Sequence, residues 1–392
     1  MTRFLAVGDL HLDKGGRCGR TPGERLAEQE AVWARALELA RERSVDAVLF
    51  AGDAFEKRHP STDALLAFER PLLRHREQDG PRVIAIPGNH DRSGVSDFCA
   101  LDVFSEAGLL QLYSRPDGTS VNGVTVACLP WAPVSRIVAA HDGGDRDDVN
   151  QVAAELLLET ARGLCASSGL VLLLTHFSIS GASTPDGMDV GLFREPVLQL
   201  ADLEAVGFDA VIAGHIHKGQ YLDEEERILY VGSPMPLDFG EAKCDHGCWI
   251  VEFDGDSLPT EFLPIESRRF LTVDYDATDP ENPGVLEEIA AGDCSMHDEI
   301  PDAFVKLRYT ATEEQARRID NAALRDGLLA MGAHNVWIEP TIERELRARA
   351  QGLDESVSDV DALELWLESQ SVNGDQAPAV RALHSDYLQE IS

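Results

Sequence analysis

The sequence predicts an α/β protein. Three observations carry this reading. Continuous apolar runs of strand length recur at Phe4–Val7, Ala47–Phe50, Val83–Ile86, Leu170–Leu174 and Ala210–Ala213, each bounded by Gly, Pro or polar residues. Helical patterns separate them; in 24–43, Leu26, Trp33, Leu37 and Ala40 fall on one face. Buried strands alternating with helices are the signature of a sheet covered by helices.

This pattern holds over 1–267. Within it, 219–264 reads as consecutive antiparallel strands joined by turns. A second unit, 268–340, reads strand (Phe270–Tyr275), helix (284–291), strand (Phe304–Tyr309), helix (313–330), strand (Asn335–Ile338), which makes a small α/β domain. The last stretch, 341–392, reads as a charged helix at Arg344–Ala350 ended by Gly352, then two short amphipathic helices. The first presents Val360, Leu363, Trp366 and Leu367. The second, after breaks at Asn373-Gly374 and Pro378, presents Val380, Leu383, Tyr387, Leu388 and Ile391. Such helices either pack on the protein's own body or dock on a partner helix.

No apolar stretch reaches the roughly 18 residues of a membrane span. The opening MTRFLAVGDLHL lacks the parts of a signal peptide, so a cytoplasmic location and no membrane partner are expected. The seven cysteines are read as reduced thiols. Cys244, His246 and Cys248 form a C-x-H-x-C cluster, but a structural zinc site wants a second pair and none stands nearby. The 34 basic and 69 acidic residues give a net charge of −35. For a protein that grips DNA this is an awkward balance, because neutralised phosphates supply much of the affinity. Either a saline cytoplasm selects the acidic surface or a partner supplies the grip.

Five segments share one design, in which an apolar strand ends and metal-ligand residues follow. They are AVGDLH (Asp9, His11), FAGDAF (Asp53), IPGNHD (Asn89, His90, Asp91), LLTH (His176) and IAGHIH (His215, His217). Sites form beyond the carboxyl ends of strands in α/β sheets. Glycines before Asp9, Asp53, Asn89 and His215 are expected to let the backbone turn there. Oxygen and imidazole donors without thiolate suit manganese, iron or zinc better than magnesium or calcium. Asp53, a lone carboxylate on its own strand, is the expected bridge between two ions. Asp9, His11 and His217 are assigned to one ion, and Asn89, His176 and His215 to the other. The two histidines of GHIH can serve different ions because side chains alternate along an extended segment. Two ions suit in-line displacement at phosphorus. His90 is left over from the ligand count and is assigned protonation of the leaving alkoxide, with Asp91 fixing its orientation. His59, His75, His141, His246, His297, His334 and His384 are given no role.

The order D-x-H, GD, GNHD, H, GHxH resembles the calcineurin-like metallophosphoesterases. That resemblance implies a sandwich of two mixed β-sheets flanked by helices, with a dinuclear site held by Asp9, His11, Asp53, Asn89, His176, His215 and His217 and with His90 as the acid. A narrower resemblance lies in YVGSPMPLDFGE (Tyr230–Glu241), which is similar to the GSP-x-P-x-x-F-x-E signature of the SbcD nuclease family. It implies a manganese-dependent DNA nuclease domain over 1–267, a capping domain over 268–340, and C-terminal helices that bind the coiled coil of an SbcC-type ATPase, with two nuclease subunits (a homodimer) beside two ATPases. None of the five lysines sits in a GK[ST] context, so the chain has no P-loop of its own. Many archaeal and eukaryotic relatives carry a histidine three residues after the GD aspartate, where this chain has Glu56. Segment 354–392 holds nine acidic residues against Arg381, so a docking partner would offer a basic complement. The alternative is a phosphoesterase acting on cyclic nucleotides, nucleotides or phosphoproteins.

Overall fold

The structure is a computed structural model and describes residues 1–15, 18–21, 23–92, 98–139, 149–165, 169–253, 260–279, 284–293, 298–343, 358–369 and 376–390. The charged helix expected at Arg344–Ala350 and the breaks at Gly352 and Asn373-Gly374 lie outside these residues. The chain divides into two compact units. The first comprises Met1–Asp274, Gly284–Arg308 and Asn321–Glu339, and the second Tyr275–Pro283, Tyr309–Asp320 and Pro340–Ser392.

The strands that build the first unit's main layers are β1 (Thr2–Val7), β2 (Ala47–Phe50), β3 (Arg82–Ala85), β4 (Gln111–Leu112), β5 (Asp117–Val121), β6 (Val124–Leu129), β7 (Leu170–Thr175), β8 (Ser178–Ile179), β9 (Val197–Leu198), β10 (Ala210–Ala213), β11 (Gln220–Tyr221), β12 (Ile228–Tyr230), β13 (Gly247–Phe253) and β14 (Thr260–Pro264). One sheet has the order β14-β13-β1-β2-β3-β4 and the other β11-β12-β10-β7-β6-β5, while β8 and β9 pair separately. In the first sheet β1 to β4 run parallel and β13 joins antiparallel. In the second, β12, β10, β7 and β6 run parallel, with β11 and β5 antiparallel at the edges. The two mixed sheets and flanking helices expected from the resemblance are therefore present.

The apolar runs are continuous because each strand is covered on both faces. Phe4, Ala6, Leu49 and Ile84 point from the first sheet into a core shared with Val126, Leu172, Leu174, Ile212 and Leu229 of the second. Alternate residues Leu5, Val7, Val48, Phe50 and Val83 face outward under helices Glu24–Glu42 and Thr62–Glu77. Here Trp33 stacks on Phe68 with ring centroids 5.4 Å apart, and Phe50, Phe55 and Phe104 close the cluster edge-on around Phe68. Leu173, Val171, Val211 and Ala213 do the same on the other side under helices Val149–Cys165 and Leu200–Val206.

The consecutive antiparallel strands expected over 219–264 are present as two pairs, β11 with β12 and β13 with β14, but the two pairs belong to different sheets, and β12 also pairs parallel with β10. Turn residues and alternation report that a strand exists but not which neighbour it takes. The later strands β15 (Phe270–Asp276), β16 (Phe304–Thr312) and β17 (Asn335–Glu343) form a three-stranded sheet in that order, and helix Val285–Ala291 packs on helix Asn321–Ala330. The single helix expected over 313–330 is instead two, Glu313–Ala316 and Asn321–Ala330. Thr312 and Gln315 form a reciprocal capping box on the first. Asp320 and Asn321, residue types that favour helix starts, lead into the second.

In the second unit, helices Asp359–Ser369 and Gln376–Glu390 are joined by a two-pronged ion pair from Arg381 to Glu364 at 2.6 and 2.7 Å. Leu367 and Ala377 are buried, whereas Val360, Leu383 and Tyr387 are exposed. Among the described residues no helix is long and apolar enough to cross a membrane.

Candidate metal centre

All five motif segments leave the carboxyl ends of β1, β2, β3, β7 and β10. After β1 and β2 end, their following segments stay paired: Asp9 N donates to the Gly52 carbonyl, His11 N to the Asp53 carbonyl and Leu12 N to the Ala54 carbonyl, at 2.9, 3.1 and 2.9 Å. Two contacts carry the site across to the second sheet. His215 N donates to the Asp9 carboxylate at 3.0 Å, and His176 Nδ1 donates to the Ala51 carbonyl at 2.6 Å.

The turning role expected of the four glycines is corrected. Among Gly8, Gly52, Gly88 and Gly214, only Gly52 adopts a left-handed φ, at 97°. The turns are made by the functional residues themselves: Asp9, His11, Asp53 and His215 have φ of 51°, 44°, 53° and 93°. Non-glycine residues in this region store strain, which is tolerated where the surroundings over-determine it. Gly88 serves close approach instead, since a Cβ there would lie 2.1 Å from Asp53 Oδ1.

These segments bring all nine predicted residues together. Ligand atoms of Asp9, His11 and His217 lie within 4.8 Å of one another, as do those of Asp53, His176 and His215, and those of His11, Asp53 and His90. Asn89 Oδ1 sits 3.1 Å from His176 Nε2 and 3.0 Å from His215 Nδ1. Asp53 Oδ2 lies 3.3 Å from His176 Nε2 and 3.4 Å from His11 Nε2, between the two groups. Asp9, His11, Asp53 and His176 are buried.

Each of the four histidines is held from behind. His11 Nδ1 donates to Glu56 Oε2 at 3.0 Å, His176 to the Ala51 carbonyl, His215 Nε2 to Glu195 Oε1 at 2.8 Å and His217 Nδ1 to Glu241 Oε1 at 2.6 Å. A ring that donates through one nitrogen presents the lone pair of the other. Burial raises Glu56, Glu195 and Glu241, but the facing imidazoles outweigh it and hold all three below the usual carboxylate range. Burial keeps His11 below its ordinary value despite Glu56. Burial also opposes charge on His176 and Asp53, yet their mutual attraction pushes His176 up to about 9 and holds Asp53 far down.

His90 is half exposed at the mouth, its Nδ1 donating to the Glu56 carbonyl at 2.8 Å and its backbone N to Asp53 Oδ1 at 2.8 Å. The role expected of Asp91 is corrected. Its buried carboxylate accepts from the backbone N–H of Gly88, Phe55 and Ala54 at 2.9, 3.2 and 3.3 Å, so it stitches the GNHD loop to the FAGDAF loop. The Glu56 carbonyl orients His90 instead. Burial and the nearby Asp53 charge raise Asp91 to about 7.

Sequence reasoning missed Glu195 outright and gave no role to His246. His246 bonds Ser233 Oγ through Nδ1 at 3.2 Å and the Glu241 carbonyl through Nε2 at 3.0 Å. Cys248 is buried within β13. A further cluster of Glu24, Glu28 and His334 has Arg25 and Arg268 on Glu28 at 2.9 and 2.7 Å and reads as an ion-pair network.

Residues 2–219 match the calcineurin-like phosphoesterases. The chain belongs to that family. It is a phosphoester hydrolase whose family is built on a dimetal site. Similar solved structures include a dimetal phosphatase from Danio rerio, with 13% identity over 67% of this chain and 95% of that one and a TM-score of 0.40. Another is the protein TT1561 of Thermus thermophilus, with 14% identity over 67% of this chain and 98% of that one and a TM-score of 0.39.

The residues of this phosphoesterase fit a pair of metal ions. His11 Nε2 and His217 Nε2 face each other at 3.1 Å, although the opposite nitrogen of each is engaged by a carboxylate. His176 Nε2 likewise faces two oxygens. Nitrogen and oxygen donors that converge in this way are satisfied by a cation among them, which would take the place of the imidazole protons that the neighbouring carboxylates favour on His176 and His217, and the imidazole, carboxylate and amide donor set matches manganese, iron or zinc.

Proposed function

We propose that this phosphoesterase is a manganese-dependent DNA nuclease of the SbcD type, working in the cytoplasm with an SbcC-type ATPase in DNA end processing and repair. The observation that carries this reading is the segment Tyr230–Glu241, whose GSP-x-P-x-x-F-x-E pattern is similar to the SbcD signature. Asp9, His11 and His217 would hold one ion, Asn89, His176 and His215 the other, and Asp53 would bridge them. When bound, the pair supplies activation of water near neutral pH and neutralisation of phosphoryl charge.

The chain's own residues do the rest. Asp53 stays ionised, as a bridge must. His90, half exposed and with Nδ1 fixed on the Glu56 carbonyl, would donate a proton to the departing alkoxide from its other ring nitrogen. Asp91 holds the loop that carries His90 and Asn89. The half-buried C-terminal helix pair, with Val360, Leu383 and Tyr387 exposed, supports docking on the ATPase's coiled coil. The partner then supplies the cationic surface that a chain of net charge −35 lacks.

Incubation with manganese and linear or hairpin DNA, with and without the ATPase, tests the reading. Cleavage that disappears in His90→Ala, with metal binding intact, is expected. Turnover of cyclic nucleotides, nucleotides or phosphoproteins with DNA untouched would refute the nuclease reading, and the acidic surface favours that alternative over DNA. Deleting 354–392 should abolish the complex; an unweakened complex would remove the docking role.

A further inference from the structure

The two histidines of GHIH stand two residues apart, yet they use opposite ring nitrogens. His215 gives Nε2 to Glu195 and turns Nδ1 toward Asn89 Oδ1. His217 gives Nδ1 to Glu241 and turns Nε2 toward His11 Nε2. An imidazole has two nearly equivalent tautomers, and the partner of one nitrogen decides which lone pair is offered. The two partners come from separate parts of the chain and are locked separately. Glu195 also accepts from the Ser178 hydroxyl, which follows His176 by two residues. Glu241 accepts from Ser233 Oγ at 3.1 Å and from the backbone N–H of Leu237 at 2.9 Å through its other oxygen. Ser233 and the Glu241 carbonyl are in turn bonded to His246, and Ser233 N donates to the His217 carbonyl at 3.0 Å.

We infer that Glu195 and Glu241 are positioning residues that set the two metal positions independently: Glu195, braced by Ser178, prepares His215 for one ion, and Glu241, braced by Ser233 and His246, prepares His217 for the other. This rests on the dinuclear assignment above but not on DNA as substrate. It gives the Tyr230–Glu241 segment a physical task, because its serine and its final glutamate are the two groups that fix His217. It also gives His246 a place behind the site. Removing a carboxylate behind a metal-bound histidine typically weakens that metal 10- to 100-fold. Here the loss should fall on one ion per variant.

The test is manganese titration of the full chain, read by electron paramagnetic resonance and by calorimetry, with no turnover involved. The parent should bind two ions, passing from a mononuclear signal to an exchange-coupled pair. Glu195→Ala and Glu241→Ala should each keep one ion at parental affinity and lose about 10- to 100-fold on the other, so that the coupled signal is delayed to higher manganese. Glu241→Gln, whose amide oxygen still accepts from His217, should recover part of that affinity, and His246→Gln should show a smaller loss of the same kind. Circular dichroism shows whether each alanine variant is folded; where one is not, the glutamine variant at that position decides. Two ions at parental affinity in both variants, or equal weakening of both ions in each, would overturn the inference. A parent that binds fewer than two ions would instead overturn the dinuclear assignment.

Discussion

Asp91 offers the sharpest separation of roles at the site. Its carboxylate receives three buried backbone N–H groups, two on one oxygen (Gly88, Ala54) and one on the other (Phe55). Replacing it with alanine orphans all three. At about 1 kcal/mol per lost hydrogen bond the cost is roughly 3 kcal/mol. Asp91→Asn keeps one oxygen and can retain the Gly88 and Ala54 bonds, so about 1 kcal/mol is expected. Urea unfolding of chelator-treated protein, followed by tryptophan fluorescence, measures this without bound ions contributing. Both variants should keep a proton donor at His90, because that ring hangs on the Glu56 carbonyl. If Asp91→Ala unfolded like the parent while turnover collapsed and its pH profile changed shape, Asp91 would be an orienter of His90 after all and the anchoring account would be wrong.

Three further outcomes are expected. Gly88→Ala drives a methyl into Asp53 Oδ1, so manganese affinity should drop more than about 10-fold with circular dichroism unchanged; parental affinity would contradict the close-approach role. Phe68→Ala empties the centre of the Trp33, Phe50, Phe55 and Phe104 cluster and should cost about 3–5 kcal/mol in denaturant unfolding; a loss under about 1 kcal/mol would show that the cluster collapses to fill the gap. His75 accepts from Arg41 through Nδ1 and donates to the Pro81 carbonyl through Nε2, and burial, with Arg41 adding, lowers it from 6.5. A histidine depressed in the folded state gives stability that is complete above its unfolded value and lost as pH falls through the folded one. His75→Gln should therefore flatten the decline in stability below pH 6.5 relative to the parent; parallel curves would exclude His75 as a source of that decline.

The convergence of the candidate ligands was legible because metal chemistry restricts residue type and the fold restricts place. An Asp or His just past a buried strand can be read from order alone. What lay out of reach was everything that depends on long-range packing. Glu195 stands in no motif and finds His215 only through the path of 190–198. Asp91 sits beside His90 in sequence yet turns its carboxylate the other way, into backbone amides. Glu56 registers in sequence only as a missing histidine, whereas in space its side chain holds His11 and its carbonyl holds His90. The parallel pairing of β12 with β10 was out of reach for the same reason, since a strand's alternation is blind to its neighbours. The glycines were recognised for only one of their two uses: Gly52 alone turns the backbone, the other strained torsions fell on the candidate ligands, and all four glycines make room for close neighbours.

The centre is divided between the two sheets. Asp9, His11, Asp53 and Asn89 follow strands of one, and His176, His215 and His217 follow strands of the other. On the proposed assignment each ion takes ligands from both. Each would then act as a rivet through the sandwich at its rim, loading the apolar interface between Phe4, Leu49, Leu172 and Ile212 as well as the substrate. Chelation would loosen the seam at one end, and a mutation deep between the sheets, far from any ligand, would be felt first as a weaker hold on metal.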